Sequence, residues 1–306
     1  MPPTQTNQPK PQLLVDAIRN FMMQARHMNN NIEITNWLKT GLTDFDEAFG
    51  GIRLGAITAL AGRASSGKSS LALNVALNVA ISQNSSSLYI SLDTPNQQLA
   101  ERALFQLCDI GENSPSKHRI NLDQNALINR AIQEISGIPL SLIYLPYSNI
   151  ADIYRTIKEF SEGKSTSLVI VDNLDHMDIK TEVHIDTAYA YEIKLLKKLA
   201  QELNIAILLI ATTNKRGEER ENKRPIFSDL PSIEIAKKCD TLLYLYRDEV
   251  YNPQGEDCNQ SELIVAKDIL GRTGAAYLSG YPSINPDSTK GTRELKTSAL
   301  KVKNLS

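Results

Sequence analysis

Residues Gly62 to Ser69 read G-R-A-S-S-G-K-S and fit the phosphate-loop pattern G-x-x-x-x-G-K-[S/T]. Backbone N–H groups of such a loop, with the positive end of the helix that follows, bind an anionic phosphate. Lys68 is expected to reach the β- and γ-phosphates of a nucleotide, and the Ser69 hydroxyl to ligate Mg²⁺. The predicted phosphate-binding residues are Gly62, Ser65, Ser66, Gly67, Lys68, Ser69 and Ser70.

The sequence around this loop supplies the strand and the helix that the pattern requires. Residues 56–61 form an apolar run typical of a buried strand, and residues 70–77 have the composition of a helix. Further apolar runs at 87–92, 168–171 and 205–211 alternate with helical segments. This alternation predicts a mainly parallel α/β sheet that binds its ligand at the carboxyl ends of the strands.

Asp172 directly follows the apolar run 168–171. A carboxylate at the end of a buried strand, downstream of a phosphate loop, is the Walker B pattern, which delivers a ligand to Mg²⁺. Ser69 and Asp172 are therefore the predicted metal pair, and Asp172 joins the loop residues in the predicted cofactor site. The expected cofactors are ATP and Mg²⁺.

Bulk composition narrows the class of protein. The formal net charge of −2 means that any contact with DNA has to come from a local patch. Lys215, Arg216 and Arg220 in the charged segment 214–225 are candidates for lining a channel, although a solvated loop is the simpler interpretation. No apolar run approaches the ~20 residues of a membrane span, no signal peptide is evident, and the cysteines are scattered. We expect a cytoplasmic protein without a membrane partner.

The chain is expected to have three parts. Residues 1–38 combine a polar, proline-containing start with an amphipathic helix over about residues 13–28. Residues 39–281 form the nucleotide-binding domain, and residues 282–306 are expected to be a flexible tail. The apolar face of the helix can dock on its own domain or on a neighbouring subunit, and its pattern leaves both open.

Taken together, these motifs resemble the C-terminal RecA-like ATPase domain of DnaB-type replicative DNA helicases, from about Thr40 to Tyr281. Besides the phosphate loop and Asp172, the resemblance rests on four shorter motifs. They are T-G-L-T-D-F-D at 40–46, S-L-D at 91–93 with Leu99 and Arg102, K-R-P with S-D-L over 223–230, and Y-R-D-E with Tyr251 over 246–251. The last two are specific enough to separate this family from recombinases and clock ATPases of the same fold.

The resemblance implies a RecA-like P-loop NTPase, an α/β fold with a mainly parallel twisted sheet flanked by helices. It also implies a homo-oligomer, either a hexameric ring or an open assembly, that acts on single-stranded DNA. The helix over 13–28 resembles the linker helix that docks on the adjacent subunit in these rings, and we expect no other counterpart of the family's helical N-terminal domain. The implied catalytic residues are Lys68, Asp93, Asp172, Thr212 and Lys267.

The sequence departs from the family at residues that carry chemistry. Asp93 stands where the family has a catalytic Glu, and a carboxylate set back by one methylene can cost ~10²-fold in rate. Thr212 stands at the position of the γ-phosphate-sensing Gln. Ile269 replaces the arginine finger, which is worth about 10³–10⁵ in rate, while Lys267 is kept and Arg272 lies three residues further on.

Two functions follow, and the sequence leaves both open. The intact phosphate loop favours an ATP-dependent DNA helicase or translocase in DNA replication. The residues at 93, 212 and 269, with a loop shortened at Pro231 that lacks the family's basic residue, favour a catalytically degraded paralogue. Such a paralogue would act as an ATP-gated assembly or regulatory factor that binds the replicative helicase or its loader.

Overall fold

The computed structural model describes residues 36–107, 128–133, 136–178, 184–251 and 260–279. Contacts between residues divide the chain into residues 1–37 and residues 38–306, and the site lies in the second unit. The amphipathic helix expected over 13–28 and the tail expected over 282–306 lie outside the described residues. The division into three parts therefore stays a prediction.

The strands of the described ranges are β1 (Trp37–Leu38), β2 (Ile52–Arg53), β3 (Ile57–Gly62), β4 (Ser86–Ser91), β5 (Leu140–Tyr144), β6 (Thr166–Asp172), β7 (Ala206–Thr212), β8 (Thr241–Arg247), β9 (Gln260–Lys267) and β10 (Gly274–Ser279). Eight of these described strands form one sheet in the order β10-β9-β8-β3-β7-β6-β4-β5. Strands β8 to β5 in that order pair in parallel, whereas β9 and β10 add an antiparallel edge. The mainly parallel sheet is confirmed.

The helices of the described ranges are α1 (Thr43–Phe49), α2 (Lys68–Ser82), α3 (Asn96–Leu107), α4 (Ile150–Ser161), α5 (Ile185–Leu203) and α6 (Ile233–Lys238), and residues 128–133 are also helical. They cover both faces of the sheet, α1 to α3 on one and α4 to α6 on the other. None of the described helices is long and apolar enough to cross a membrane.

Strand β6 is apolar along most of its length because both of its faces are buried. Leu168 and Ile170 point into the core beneath α2, while Val169 and Val171 point into the core beneath α5. Successive side chains of a strand alternate between the faces of a sheet, so a strand covered on both faces has no side exposed to water. Asp172 is the last residue of the strand, at its carboxyl end.

The motif at 40–46 anchors the start of the domain to the phosphate-loop helix. The Asp46 carboxylate accepts hydrogen bonds from the backbone N–H groups of Thr40 and Gly41 and from the Thr40 hydroxyl, at 2.8–3.0 Å. The Asn78 side chain of α2 in turn donates to the Thr40 carbonyl oxygen at 3.0 Å. Gly41 has φ +79°, and a Cβ there would lie 2.3 Å from the Asn78 amide. The role of this motif is structural.

Replacing Glu192 with glutamine is expected to stabilise the protein by about 1–3 kcal/mol at pH 8. Glu192 lies on α5 with 4% of its surface exposed, and its Oε2 has no hydrogen-bond partner among the described residues. Burial raises the pKa of this carboxyl from 4.5 to about 7. The charged carboxylate therefore does not lower the free energy of unfolding below pH 4.5. Its destabilising effect grows as the pH rises from 4.5 to about 7 and is complete above pH 7.

Urea unfolding at pH 5 and pH 8 measures this effect, and the gain from Glu192→Gln should be larger at pH 8. Glu202 on the same helix is a matched control, because its side chain is 48% exposed and pairs with Lys198. The Glu202→Gln variant should change stability by less than about 0.5 kcal/mol at both pH values. An equal gain from Glu192→Gln at pH 5 and pH 8 would contradict the buried charge.

Candidate active site

The phosphate loop joins β3 to α2 through residues 63–67. Ser65 and Gly67 adopt left-handed backbone conformations, with φ values of 61° and 95°. Because α2 begins at Lys68, its positive end lies against this loop. The Ser66 hydroxyl is buried and has no hydrogen-bond partner within the described part of the chain. A buried donor in this position is suited to a phosphate oxygen.

Gly62 is required by the close approach of a neighbouring strand. A Cβ at this residue would lie 2.8 Å from the carbonyl oxygen of Leu245 on β8 and 3.1 Å from the Ser66 hydroxyl. The first contact is with backbone, which cannot move aside cheaply. The first glycine of the motif therefore lets the loop turn directly over the end of the sheet.

Lys68 is 94% buried, with 6% of its surface exposed. Its ammonium group donates a hydrogen bond to the carbonyl oxygen of Arg63 at 2.7 Å. Burial lowers the pKa of Lys68 from 10.5 to about 8, and the negative charges of Asp175 and Asp172 oppose that shift. A phosphate next to this amine would favour the charged form that burial disfavours.

Asp172 ends β6 and is 4% exposed. The Tyr89 hydroxyl donates to its Oδ2 at 2.6 Å, from the neighbouring strand β4. Burial raises the pKa of the Asp172 carboxyl, while hydrogen bonds from Tyr89 and Ser69, and then the charges of Lys68 and Arg102, oppose the shift. The structure thus brings the predicted metal pair together, and it adds Tyr89, which the sequence motifs had not identified.

Ser69 and Asp172 fit a bound Mg²⁺. Mg²⁺ takes oxygen ligands and is usually held by one or two carboxylates together with substrate phosphates. The Ser69 hydroxyl and the Asp172 carboxylate supply two such oxygens in mutual contact, and a cation would stabilise the carboxylate that burial disfavours. Within the described ranges, no group of three or more His, Cys, Asp and Glu side chains could hold a metal without further ligands.

The structure places Asp93 and Thr212 at the carboxyl ends of neighbouring parts of the sheet, Asp93 two residues beyond β4 and Thr212 as the last residue of β7. The Asp93 side chain is 64% exposed, and its Oδ1 lies 4.0 Å from Nδ1 of His176. The backbone N–H of Thr212 donates to Oδ2 of Asp175 at 2.8 Å. Both residues therefore meet side chains of the 3₁₀ turn Leu174–His176, which the sequence motifs did not include.

Lys267 lies at the end of the sheet opposite to the phosphate loop, where the parallel strands begin. It pairs with Leu242, at the start of β8, whereas the phosphate loop follows the carboxyl end of β3. Its ammonium donates to the carbonyl oxygens of Ala236 and Cys239 at 2.8 and 2.6 Å, at the carboxyl end of α6. A cation there stabilises the negative end of the helix. That Lys267 contacts the nucleotide of a neighbouring copy stays a prediction.

Comparison with known families identifies the domain. The family model for the DnaB-like helicase C terminal domain matches residues 37–284. The chain belongs to this family. The "Replicative DNA helicase DnaB" of Geobacillus stearothermophilus is 27% identical over 260 residues, which cover 84% of this chain and 57% of that protein. The chain thus spans little more than half the length of the curated relatives it matches.

Two solved structures share the fold. One is described as an ATPase domain; it has a TM-score of 0.80 and 21% identity, over 90% of this chain and 97% of that one. The other is a DnaB-like replicative helicase studied for its interactions with primase, with a TM-score of 0.78 and 22% identity, over 87% of this chain and 66% of that one. The RecA-like α/β fold class is confirmed.

The two motifs most specific to the DnaB-like family meet beside the phosphate loop. The Arg224 guanidinium lies 4.9 Å from the centre of the Tyr246 ring, and Tyr246 stacks on Tyr251 with 5.9 Å between the ring centres. Arg63 of the loop lies over Tyr251 at 5.3 Å. A cleft here is lined by Arg63, Ser66, Thr213, Gly217, Arg247 and Tyr251. Its aromatic and cationic lining suits the flat face of a nucleobase.

The charged segment 214–225 is only partly exposed to solvent. Lys215 and Arg216 are exposed. Arg220 instead forms a bidentate pair with Asp229, with N–O distances of 2.7 and 2.6 Å, and Asp229 is 1% exposed. The Arg220 guanidinium is thus bound to a buried carboxylate, and the expectation that it also lines a channel stays a prediction.

Proposed function

We propose that this chain binds ATP and Mg²⁺ and uses ATP hydrolysis to move along single-stranded DNA, as a DNA helicase or translocase in replication. The observation that carries the proposal is the convergence of Lys68, Ser69 and Asp172 at one sheet edge of a helicase-family domain. Lys68 would bind the β- and γ-phosphates. Ser69 and Asp172 would hold Mg²⁺, which offsets phosphate charge when bound.

The cleft beside the loop supports the binding of a whole nucleotide. Arg63 and Tyr251 both line it, and Ser66 connects it to the phosphate loop. We assign the base and ribose to this cleft and the phosphates to the loop. Lys215 and Arg216 are the exposed cations that we assign to contact with DNA phosphates.

The proposed active form is a homo-oligomer, as a ring or an open assembly. In it, Lys267 or Arg272 of one copy would approach the nucleotide of the next. Arg272 donates to Asp268 and to the carbonyl oxygen of Phe49, each at 2.7 Å, and Lys267 is bound to carbonyl groups at the end of α6. Either side chain has to leave these acceptors before it can reach a neighbouring phosphate, so assembly and rearrangement are coupled in this proposal.

Steady-state ATP hydrolysis, with and without single-stranded DNA, tests the proposal. We expect turnover within the ordinary enzyme range of ~1–10³ s⁻¹ that rises when DNA is added and is absent in Lys68→Ala. Tight ATP binding with turnover no faster than that of Lys68→Ala would refute the motor. It would favour the ATP-gated assembly factor, whose partner would be the replicative helicase or its loader.

A further inference from the structure

The 3₁₀ turn Leu174–His176 is fixed beside the proposed ATP site. Leu174 and the following Met177 are buried in the core, with 0% and 5% of their surfaces exposed. The Asn173 side chain caps the turn by accepting from the N–H of Asp175 at 3.0 Å. Asp175 is also bound through Oδ2 to the N–H of Thr212. The exposed His176 side chain therefore projects from an anchored backbone.

His176 faces Asp93, the residue at the position of the family's catalytic Glu. The Nδ1 and Oδ1 atoms are 4.0 Å apart, and the two side chains are 48% and 64% exposed. The two backbones that carry these side chains are held by neighbouring strands, because Ser91 pairs with Asp172 and the N–H of Leu92 donates to the Asp172 carbonyl oxygen at 2.7 Å. Catalytic hydrogen bonds are often long in a ligand-free protein and tighten when substrate binds.

The neighbouring carboxylate of Asp175 interacts with Thr212 and Lys68 rather than with Asp93. Its Oδ2 is engaged by the Thr212 N–H, and its negative charge acts on Lys68. Asp93 itself is one methylene shorter than the family's Glu. His176 is thus the basic group of this turn that can act with Asp93, since an imidazole whose Nδ1 faces a carboxylate presents Nε2 as a proton acceptor.

We propose that His176 is the general base of the ATP hydrolysis proposed above, and that Asp93 orients it. The oxygen of a water molecule bonds to the γ-phosphorus while the bond from that phosphorus to the β,γ-bridging oxygen breaks. The electron pair of the broken bond leaves with ADP. The proton of the water passes to Nε2 of His176 and then to solvent, and inorganic phosphate is the second product.

Single-turnover hydrolysis by the full chain, with Mg²⁺ and single-stranded DNA, tests the assignment. We expect His176→Ala to lower the rate about 10²-fold or more, whereas the affinity for a non-hydrolysable ATP analogue changes by less than about threefold. Because the side chain is half exposed, free imidazole should enter the space and restore part of the lost rate. Asp93→Asn should lower the rate less, about tenfold, since it only orients the base.

His184 offers a matched control. Its Nδ1 lies 3.9 Å from Oδ2 of Asp186, and its side chain is 75% exposed, so the chain contains a second surface histidine–carboxylate pair. His184→Ala should keep the wild-type rate, and imidazole should not accelerate it.

Three results would overturn the assignment. They are a wild-type rate in His176→Ala, a loss that imidazole does not restore, and a loss that His176→Gln repairs. If the wild-type rate exceeds that of Lys68→Ala in these cases, only the assignment of His176 fails. If wild type and Lys68→Ala are equally slow, the proposed hydrolysis fails first and the assignment of the base fails with it.

Discussion

Replacing Lys68 with methionine is expected to abolish stabilisation of the protein by ATP while making the ligand-free protein more stable. At 100 times the dissociation constant, a ligand stabilises the native state by about 2.7 kcal/mol. The wild type should show this gain on addition of ATP and Mg²⁺, and Lys68→Met should show none. Without nucleotide, the variant should be more stable than the wild type at pH 7 by on the order of 3 kcal/mol.

The second effect follows from the burial of the Lys68 ammonium group. Burial lowers its pKa from 10.5 to about 8, so the charged form is disfavoured in the folded protein relative to the unfolded chain. This cost is complete below pH 8 and disappears as the pH rises from 8 to 10.5. Methionine has a similar length and no charge, so it keeps the packing and removes the cost.

Urea unfolding at pH 7.5 and pH 10, with and without ATP and Mg²⁺, measures both effects. The advantage of Lys68→Met in ligand-free protein should shrink at pH 10. Lys194, which is exposed on α5, provides the control, and Lys194→Met should retain the response to ATP. A Lys68→Met variant that is still stabilised by ATP would contradict the assignment of this lysine to the phosphates.

The parts of the site that sequence predicts are those fixed by local patterns. Asp172 was placed correctly at a strand end because β6 packs against helices on both faces, which makes its sequence uninterrupted and apolar up to the edge. The bounds of the phosphate loop were equally local, since Gly62 and Gly67 mark the two places where its backbone needs glycine.

The parts that sequence missed depend on which strands become neighbours. Tyr89 reads as an ordinary core residue of β4, and only the pairing of β4 with β6 places its hydroxyl on Asp172. Likewise, the motif that contains Lys267 does not reveal the contacts of this side chain within its own copy. The antiparallel pairing of β9 with β8 brings its amine to the carboxyl end of α6, and its approach to a neighbouring copy's nucleotide stays a prediction. Such contacts are not encoded in residue type or spacing.

Replacing Arg220 with methionine is expected to destabilise the protein by about 3–5 kcal/mol, because it leaves a buried carboxylate without its cation. Asp229 is 1% exposed and accepts two hydrogen bonds from Arg220 and one from the Ile226 N–H. Burial raises the pKa of Asp229, but the bonds and charge of Arg220 more than reverse this, so the pKa lies below its ordinary 3.8. The stabilisation is present above that value and is lost as the pH falls below it.

Urea unfolding at pH 7 measures the loss of stability in Arg220→Met, and two further variants serve as controls. Arg155 forms an exposed pair with Asp152, with side chains 66% and 37% exposed, so Arg155→Met should cost less than about 1 kcal/mol. The double variant Arg220→Met with Asp229→Leu removes both charges and should recover a large part of the loss, since an apolar pair of similar volume often replaces a buried ion pair without penalty.

The same variants separate a structural arginine from one that contacts DNA. Arg220 lies in the same charged segment as Lys215 and Arg216, and its bidentate pair binds this segment to Asp229. Loss of the pair should therefore lower the free energy of unfolding. It should have no selective effect on DNA affinity in the fraction of the protein that remains folded. Lys215→Ala and Arg216→Ala should do the reverse, with weaker binding to single-stranded DNA and little change in stability. Selective loss of DNA affinity in Arg220→Met at unchanged stability would place Arg220 among the DNA contacts and contradict its role in stabilising the buried carboxylate.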